Sequence, residues 1–283
     1  MNAIEISGLR KSYGDFTLGD ISFCVPEGSI LGLVGENGAG KSTTIKLIMN
    51  TISRDAGTVR VLGTDNTSPS FSEVKEDIGV VLDEAYFPEV ISAKNVDTVM
   101  KHTYKRWDSE KYMQYVSRFR LPEKKPFKEY SRGMKMKLAI AVALSHDPKL
   151  LVLDEATSGL DPMIRDEILD IFNDFTRDPG RSILLSSHIV SDLEKICDYI
   201  AFIHNGRLML CEEKDRLLEE YAVVKMSPAE LEDIPEDAIV GKKVSKYSAE
   251  ALVRRGEISP AFTTEHCTLE DIILFLAREG RDL

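Results

Sequence analysis

The segment from Gly35 to Thr43 constrains this chain most strongly, because it fits the pattern G-x-x-x-x-G-K-[ST] at every fixed position. The apolar run 30–34 before it is typical of a buried parallel strand, and residues 44–48 after it have helical character. The segment is therefore expected to join a strand to a helix. Backbone N–H groups and the helix N-terminus attract an anion at such a junction.

The pattern predicts a site for nucleotide phosphates. Lys41 is expected to reach the β- and γ-phosphates, and the Ser42 hydroxyl is expected to bind Mg²⁺. The residues expected to surround the phosphates are Gly35, Asn37, Gly38, Ala39, Gly40, Lys41, Ser42 and Thr43. A glycine-rich turn with an incidental lysine is the alternative interpretation. Kinases, GTPases, helicases and transport ATPases share such loops, so the loop alone does not select among them.

Composition excludes several classes of partner. The net charge of −11 argues against broad binding to nucleic acid or to an anionic membrane surface, because both need a basic face. No apolar run approaches the roughly 18 residues that span a bilayer. We therefore expect no nucleic-acid partner and no direct membrane insertion, and any membrane association would come through another protein. The length of 283 residues favours one large domain and a smaller one.

Acidic pairs follow two of the predicted strands. Asp154 and Glu155 come directly after the apolar strand 149–153, at the edge where open α/β sheets bind ligands. One of these carboxylates can hold Mg²⁺ and the next can orient an attacking water. Asp83 and Glu84 follow the strand 78–82. They either help to position Mg²⁺ or water, or form a solvated turn, and their sequence leaves both interpretations open.

Three further side chains are candidates for the same site. His188 follows the buried strand 182–186 and is expected at the edge that carries Asp154 and Glu155. Tyr13 either packs in the core or rim, or stacks on an adenine ring. Asp161 is expected to be the N-cap of a helix whose first residue is Pro162.

The alternation of buried strands and helices predicts an α/β core. Antiparallel strands are expected at 3–9 and 17–25, and a helical insert at about 90–135. The remaining chain, 221–283, is expected to form a small α+β accessory domain. Its last helix should begin after Thr268 and end at Gly280.

These motifs, taken in order, resemble the ATP-binding cassette (ABC) family, and specifically the separate ATPase subunit of a bacterial ABC transporter. The resemblance covers about residues 3–220. It implies a P-loop NTPase core with an antiparallel β subdomain and an α-helical subdomain. It also assigns roles to the matching residues. Gly35 to Thr43 match the Walker A loop, and Tyr13 matches the aromatic that stacks on adenine. Asp154 matches the Walker B aspartate, and Glu155 matches the glutamate that polarises water. Ser158 to Asp161 match the loop at the dimer interface, and His188 matches the switch histidine.

Two motifs depart from the family pattern. The signature, usually Leu-Ser-Gly-Gly-Gln, is Tyr130-Ser131-Arg132-Gly133-Met134 here. Ser131 and Gly133 keep the hydroxyl and the backbone N–H that would contact a γ-phosphate, whereas Arg132 adds bulk and charge. Asp83 stands where the family has glutamine, and it can bind Mg²⁺ but cannot donate a hydrogen bond. These variants are similar to those of the branch that exports drugs, lipids or polymers.

The resemblance implies a mechanism in which two cassettes enclose ATP and Mg²⁺ between the Walker A loop of one copy and the signature of the other. It implies an integral-membrane permease as partner, a second copy or related ATPase subunit, and a cytoplasmic location on the inner face of the membrane. A permease helix is expected in a groove beside 83–88, next to the exposed aromatics Tyr86 and Phe87. The alternative is a soluble ABC-type ATPase, or a nucleotide-gated binding module, that is not coupled to transport.

Overall fold

The computed structural model describes residues 1–83 and 87–279. Most of the strands lie in one mixed, 10-stranded sheet. Its strands are β1 (Asn2–Tyr13), β2 (Phe16–Pro26), β3 (Ile30–Val34), β4 (Ala56–Val61), β5 (Thr64–Asp65), β6 (Ile78–Val81), β7 (Leu150–Asp154), β8 (Ser182–Ser187), β9 (Tyr199–His204) and β10 (Arg207–Glu213). Their order across the sheet is β5-β4-β1-β2-β10-β9-β3-β8-β7-β6.

Helices connect and cover these strands. They are α1 (Lys41–Ile48), α2 (Phe71–Val74), α3 (Ala93–Thr103), α4 (Ser109–Arg118), α5 (Arg132–Leu144), α6 (Pro162–Thr176), α7 (Val190–Ile196) and α8 (Lys214–Glu220). Within 1–83 and 87–279, no helix combines the length and the apolar character needed to cross a bilayer.

The sheet joins a parallel half to an antiparallel half, as predicted. Strands β9, β3, β8, β7 and β6 pair in parallel. Strands β1, β2, β4 and β5 pair antiparallel. A hairpin joins β9 to β10 through Asn205 and Gly206, whose φ angles of 47° and 75° match the turn that such a pair favours. The α/β fold expected from the sequence is confirmed.

Successive residues of the parallel strands enter two different cores, because side chains alternate across a sheet. Leu31, Val152 and Leu184 pack with α1 and with the antiparallel strands. Leu151 and Leu185 pack with α5, α6 and α7 on the opposite face. The parallel strands are thus buried on both faces, which leaves their carboxyl ends as the exposed edge where side chains can meet a ligand.

The helical insert is also observed. Ser92 and Asp108 begin α3 and α4 by accepting hydrogen bonds from Asn95 N and Lys111 N. The Tyr112 hydroxyl donates to the carbonyl of Ala93 at 2.9 Å, which ties the two helices together. Helix α5, which follows the insert, begins after Ser131 and is buried from Met136 onward.

The C-terminal segment forms a second, 4-stranded sheet. Its elements are β11 (Tyr221–Met226), β12 (Ile239–Val244), β13 (Ala249–Arg254), β14 (Thr264–Glu265) and helix α9 (Leu269–Glu279). Helix α9 begins after Thr268, as predicted, and Thr268 and Asp271 cap it reciprocally: Thr268 N donates to Asp271 Oδ2, and Asp271 N donates to Thr268 Oγ1. The predicted end at Gly280 lies outside the described residues. One face of this sheet has its own small core, whereas Val223, Leu252 and the apolar stripe of α9 belong to the larger core.

Candidate functional site

The candidate site lies where adjacent strands β3, β8 and β7 end. Strand β3 passes into the loop 35–40, β7 ends at Asp154 and is followed by Glu155, and β8 ends just before His188. Because these strands are parallel neighbours, all their carboxyl ends meet at one edge. The structure therefore brings the phosphate loop and both sets of polar candidates together.

Glycines in the loop are required by space and by backbone conformation. A Cβ on Gly35 would lie 2.3 Å from the carbonyl oxygen of Ile203. Gly38 and Gly40 have φ angles of +83° and +117°, a region that L side chains rarely adopt. The loop thus closes tightly onto the sheet, and Gly40 at the N-cap of α1 leaves the first-turn N–H groups free of a side-chain cap.

Lys41 folds back over the loop. Its Nζ donates to the carbonyl oxygens of Gly35 and Glu36 at 2.7 and 3.3 Å. The same atom lies 3.2 Å from Glu155 Oε1, and the residue is only 5% exposed. An ammonium group is thereby fixed beside the backbone N–H groups of the loop, where an anion would bind.

Glu155 is held at both carboxylate oxygens. Oε1 faces Lys41 as an ion pair and is buried without a hydrogen bond to any described residue. Oε2 lies 2.6 Å from His188 Nδ1. The backbone of Glu155 has φ of 52°, unusual for a residue with a side chain, and its N–H donates to Ser186 O at 3.1 Å. Conformations of this kind cluster at functional sites.

Asp154 is positioned by a residue that the sequence interpretation missed. The Ser186 hydroxyl donates to Asp154 Oδ1 at 2.5 Å, across the β7–β8 register that places the two residues side by side. Asp154 is 4% exposed. In the sequence, this role could have been inferred from the polar pair Ser186–Ser187 at the end of an otherwise apolar strand.

A cleft of about 210 Å³ opens in front of the loop. Its lining residues are Phe16, Glu36, Asn37, Gly38, Gly40, Lys41, Ser42, Thr43, Asp83 and Glu155. The cleft gathers most of the predicted phosphate residues and adds Phe16, which we did not predict. Ala39 is buried behind it, and its carbonyl accepts the N–H of Gly206 at 3.0 Å.

The signature segment lies at the start of α5. The Ser131 hydroxyl caps this helix by accepting from Met134 N at 3.3 Å. The Arg132 guanidinium donates to Asp83 Oδ1 at 3.1 Å, so a residue of one departing motif contacts a residue of the other. Gly133 is half-buried and packs near Leu160. This segment is thus connected to the cleft through Asp83.

Two predicted residues, Asp161 and Phe87, differ from expectation. Asp161 occupies the N-cap position of α6, but its exposed side chain caps no N–H of the described helix. Phe87 is not an exposed aromatic: it is half-buried and packs edge-to-face on Phe127, with ring centroids 5.4 Å apart, because an apolar ring next to the core gains from burial. Tyr86 and Glu84 lie outside the described residues.

Tyr13 remains accessible at the end of β1. It is 44% exposed, and the Lys11 ammonium lies 5.3 Å from its ring centroid. Phe16, its antiparallel partner across the turn, lines the cleft. The hairpin tip therefore presents aromatic surface next to the phosphate loop.

His188 also borders a second cavity, of about 320 Å³, that separates the phosphate loop from α9. Phe202, Ile273 and Ala277 give this cavity a largely apolar wall. The C-terminal helix thus lies close to the candidate site.

Comparison with known proteins identifies the family of this chain. The family described as ABC transporter matches residues 18–158. The ABC transporter ATP-binding protein YtrB of Bacillus subtilis is 31% identical over 79% of this chain and 76% of its own length. The lantibiotic transport ATP-binding protein SrtF of Streptococcus pyogenes is 34% identical over 75% of this chain and 91% of its own. A solved ATP-binding subunit of an ABC transporter has a TM-score of 0.69 and 27% identity, and covers 76% of this chain and 91% of its own.

The chain therefore belongs to the ABC transporter family. Within that family it is an ATP-binding, ATP-hydrolysing subunit, which confirms the resemblance drawn from the motifs.

Proposed function

We propose that two copies of this chain, or one copy and a related subunit, enclose ATP between them and hydrolyse it to drive a membrane permease. Lys41 and the loop N–H groups hold the phosphates, and Tyr13 stacks on adenine. Ser131, Arg132 and Gly133 contact the nucleotide held by the other copy, and Asp161 lies at the interface between copies.

The position of Glu155 carries this proposal. Its carboxylate lies at the edge of the phosphate cleft, 3.2 Å from Lys41 Nζ on one side and 2.6 Å from His188 Nδ1 on the other. A carboxylate beside the phosphates can accept a proton from an attacking water. His188 holds this carboxylate and is placed to contact the γ-phosphate, so positioning and charge stabilisation supply most of the rate gain.

The residues present fit Mg²⁺ bound together with ATP. No group of three or more His, Cys, Asp or Glu side chains in residues 1–83 and 87–279 is arranged to hold a metal by itself. Mg²⁺ instead uses one or two carboxylates together with substrate phosphates and water. Ser42 and Asp83 line the cleft and Asp154 lies at the same sheet edge, so these residues supply suitable oxygen ligands. The ion would neutralise phosphate charge.

The test of this assignment is ATP turnover by Glu155→Gln. The substitution keeps the shape of the side chain but removes the proton acceptor, so turnover should fall by about two to four orders of magnitude. Glu110→Gln makes the same chemical change on the exposed surface of α4 and should turn over like the unmodified chain. Equal rates for the two variants would refute the role of Glu155.

The permease, the location and the direction of transport belong to the same proposal. An integral-membrane partner would hold the chain on the cytoplasmic face of the membrane. A relative is named for lantibiotic transport, which supports export as the direction. We place the permease contact beside the helical insert, where Phe87 and Phe127 pack together.

We also propose that the chain divides into an ATPase domain, 1–220, with its helical subdomain at about 90–135, and an accessory domain, 221–283. The separate small core beneath β11 and β13 supports this division. Because α9 also packs beside the candidate site, the accessory domain is placed to sense or restrain the nucleotide edge.

A further inference from the structure

The contact between Arg132 and Asp83 links two parts of the molecule that otherwise differ in role. Asp83 lines the phosphate cleft of its own subunit. Arg132 is the first residue of α5, in the segment proposed to meet the nucleotide of a second copy. Their hydrogen bond of 3.1 Å therefore joins a group that faces the subunit's own nucleotide to a group that faces the other one.

Arg132 also braces the turn at the predicted subunit interface. A Cβ built on Gly159 would lie 3.3 Å from Arg132 Nη1 and 3.4 Å from its Cζ. The guanidinium thus lies flat against this glycine, which has φ of +69° and belongs to the turn 158–161. One side chain connects the cleft wall, the start of α5 and this turn.

The ion pair between Arg132 and Asp83 is weak enough for Arg132 to exchange Asp83 for another anion. The side chains of Arg132 and Asp83 are 61% and 52% exposed, and ion pairs this accessible to water are weak. A guanidinium binds phosphate through two parallel hydrogen bonds, and a terminal phosphate carries more charge than one carboxylate. A phosphate brought near Arg132 by a second copy would therefore compete successfully with Asp83.

We propose that the Arg132–Asp83 pair is a latch, in which Arg132 exchanges Asp83 for the terminal phosphate of the nucleotide held by a second copy. The proposal rests on the dimeric function proposed above. When Arg132 leaves, the Asp83 carboxylate loses its cation and becomes free to act in its own cleft. Engagement of one nucleotide thus changes the environment of the other, so the two sites are coupled through Arg132 and the coupling is reciprocal.

The experiment measures the ATP concentration that gives half-maximal dimerisation, by light scattering in the presence of Mg²⁺. Every variant carries Glu155→Gln so that ATP persists. Adding Asp83→Asn removes the competing partner and should lower this concentration about two- to five-fold. Adding Arg132→Ala removes the phosphate contact and should raise it about ten-fold or more. With both changes, the concentration should be no lower than for Arg132→Ala, because without the arginine the loss of Asp83 releases no latch.

A pair elsewhere on the surface provides the matched control. Arg181 donates to Asp147 at 2.9 Å, away from the cleft, so Asp147→Asn should leave the half-maximal concentration unchanged. Arg132→Lys keeps the charge but loses the two-pronged geometry, and it should fall between the parent and Arg132→Ala. Thermal unfolding identifies any variant that fails to fold. If Arg132→Ala fails to fold, Arg132→Lys is used in its place.

The outcomes separate the latch from the function on which it rests. Shifts of the same sign for Asp83→Asn and Arg132→Ala would show a merely structural pair and overturn the latch. A decrease in the half-maximal concentration caused by Asp83→Asn that persists without the arginine would also overturn it. If the Glu155→Gln parent does not dimerise with ATP at all, the proposed function itself fails, and the latch fails with it.

Discussion

The strand-edge site and the latch surface differ in how firmly their charges are held. At the strand edge, Lys41, Asp154 and Glu155 are at most 8% exposed, and each has a partner on a neighbouring strand or loop. At the latch, Arg132 and Asp83 are more than half exposed and bond mainly to each other. Buried charges must keep their partners, because losing one leaves an uncompensated charge, whereas exposed charges can exchange them. This contrast separates the groups proposed to perform the chemistry from the pair proposed to act as a latch.

The largest effect should come from Lys41→Ala. The substitution removes the buried ammonium beside the loop N–H groups that we propose bind phosphate. Loss of a charged hydrogen bond of this kind should weaken ATP binding about 100-fold. Titration with a fluorescent ATP analogue measures the affinity of each variant. Lys46→Ala alters an exposed lysine on the same helix, α1, and should bind like the unmodified chain. If both variants bound ATP equally well, the buried ammonium of Lys41 would have no special role in binding, and the contrast between the two regions would fail.

Ser186→Ala tests the support of the proposed Mg²⁺ site. Without its hydroxyl, Asp154 loses a 2.5 Å hydrogen bond, and loss of such a supporting contact typically costs about 10-fold in metal affinity. The Mg²⁺ concentration for half-maximal ATP turnover should rise accordingly. Ser182→Ala removes a buried hydroxyl at the opposite end of β8, where it accepts from Gly28 N, and should leave that concentration unchanged.

Asp192→Asn tests a buried carboxyl behind the site. Burial raises the pKa of Asp192, and the nearby charge of Arg165 offsets only part of this effect. A raised folded-state pKa stabilises the fold at low pH, and that contribution disappears as pH rises through the folded pKa. Relative to the asparagine variant, the unmodified chain should therefore be more stable at pH 4 than at pH 7. Melting temperatures of both proteins at the two pH values measure the change, and the opposite trend would contradict the account.

The smallest effect is expected for the stability of Asp83→Asn. Because its ion pair is exposed, the free energy of unfolding should change by less than about 1 kcal/mol. Urea unfolding measures this value. A loss of more than about 2 kcal/mol would mean that the pair is a structural clamp, and the contrast between the two regions would disappear.

Much of the strand-edge site is predictable from the sequence, because local pattern determines it. The fixed positions around Lys41 and the acids that end β7 are contiguous, and parallel strands bring their ends to one edge. Ser186 escaped prediction because its importance depends on the β7–β8 register, which no local pattern shows. Asp83 and Arg132 each stood out as departures, but their contact joins residues 49 positions apart. Phe87 was predicted to be exposed because its packing on Phe127 is equally non-local.

The most direct test of the central claim is the mass of Glu155→Gln in solution with ATP and Mg²⁺. If ATP joins two copies and Glu155 triggers its hydrolysis, light scattering should give a dimer with ATP and a monomer with ADP or without nucleotide. A monomer at saturating ATP, or a dimer that ignores nucleotide, would contradict the account.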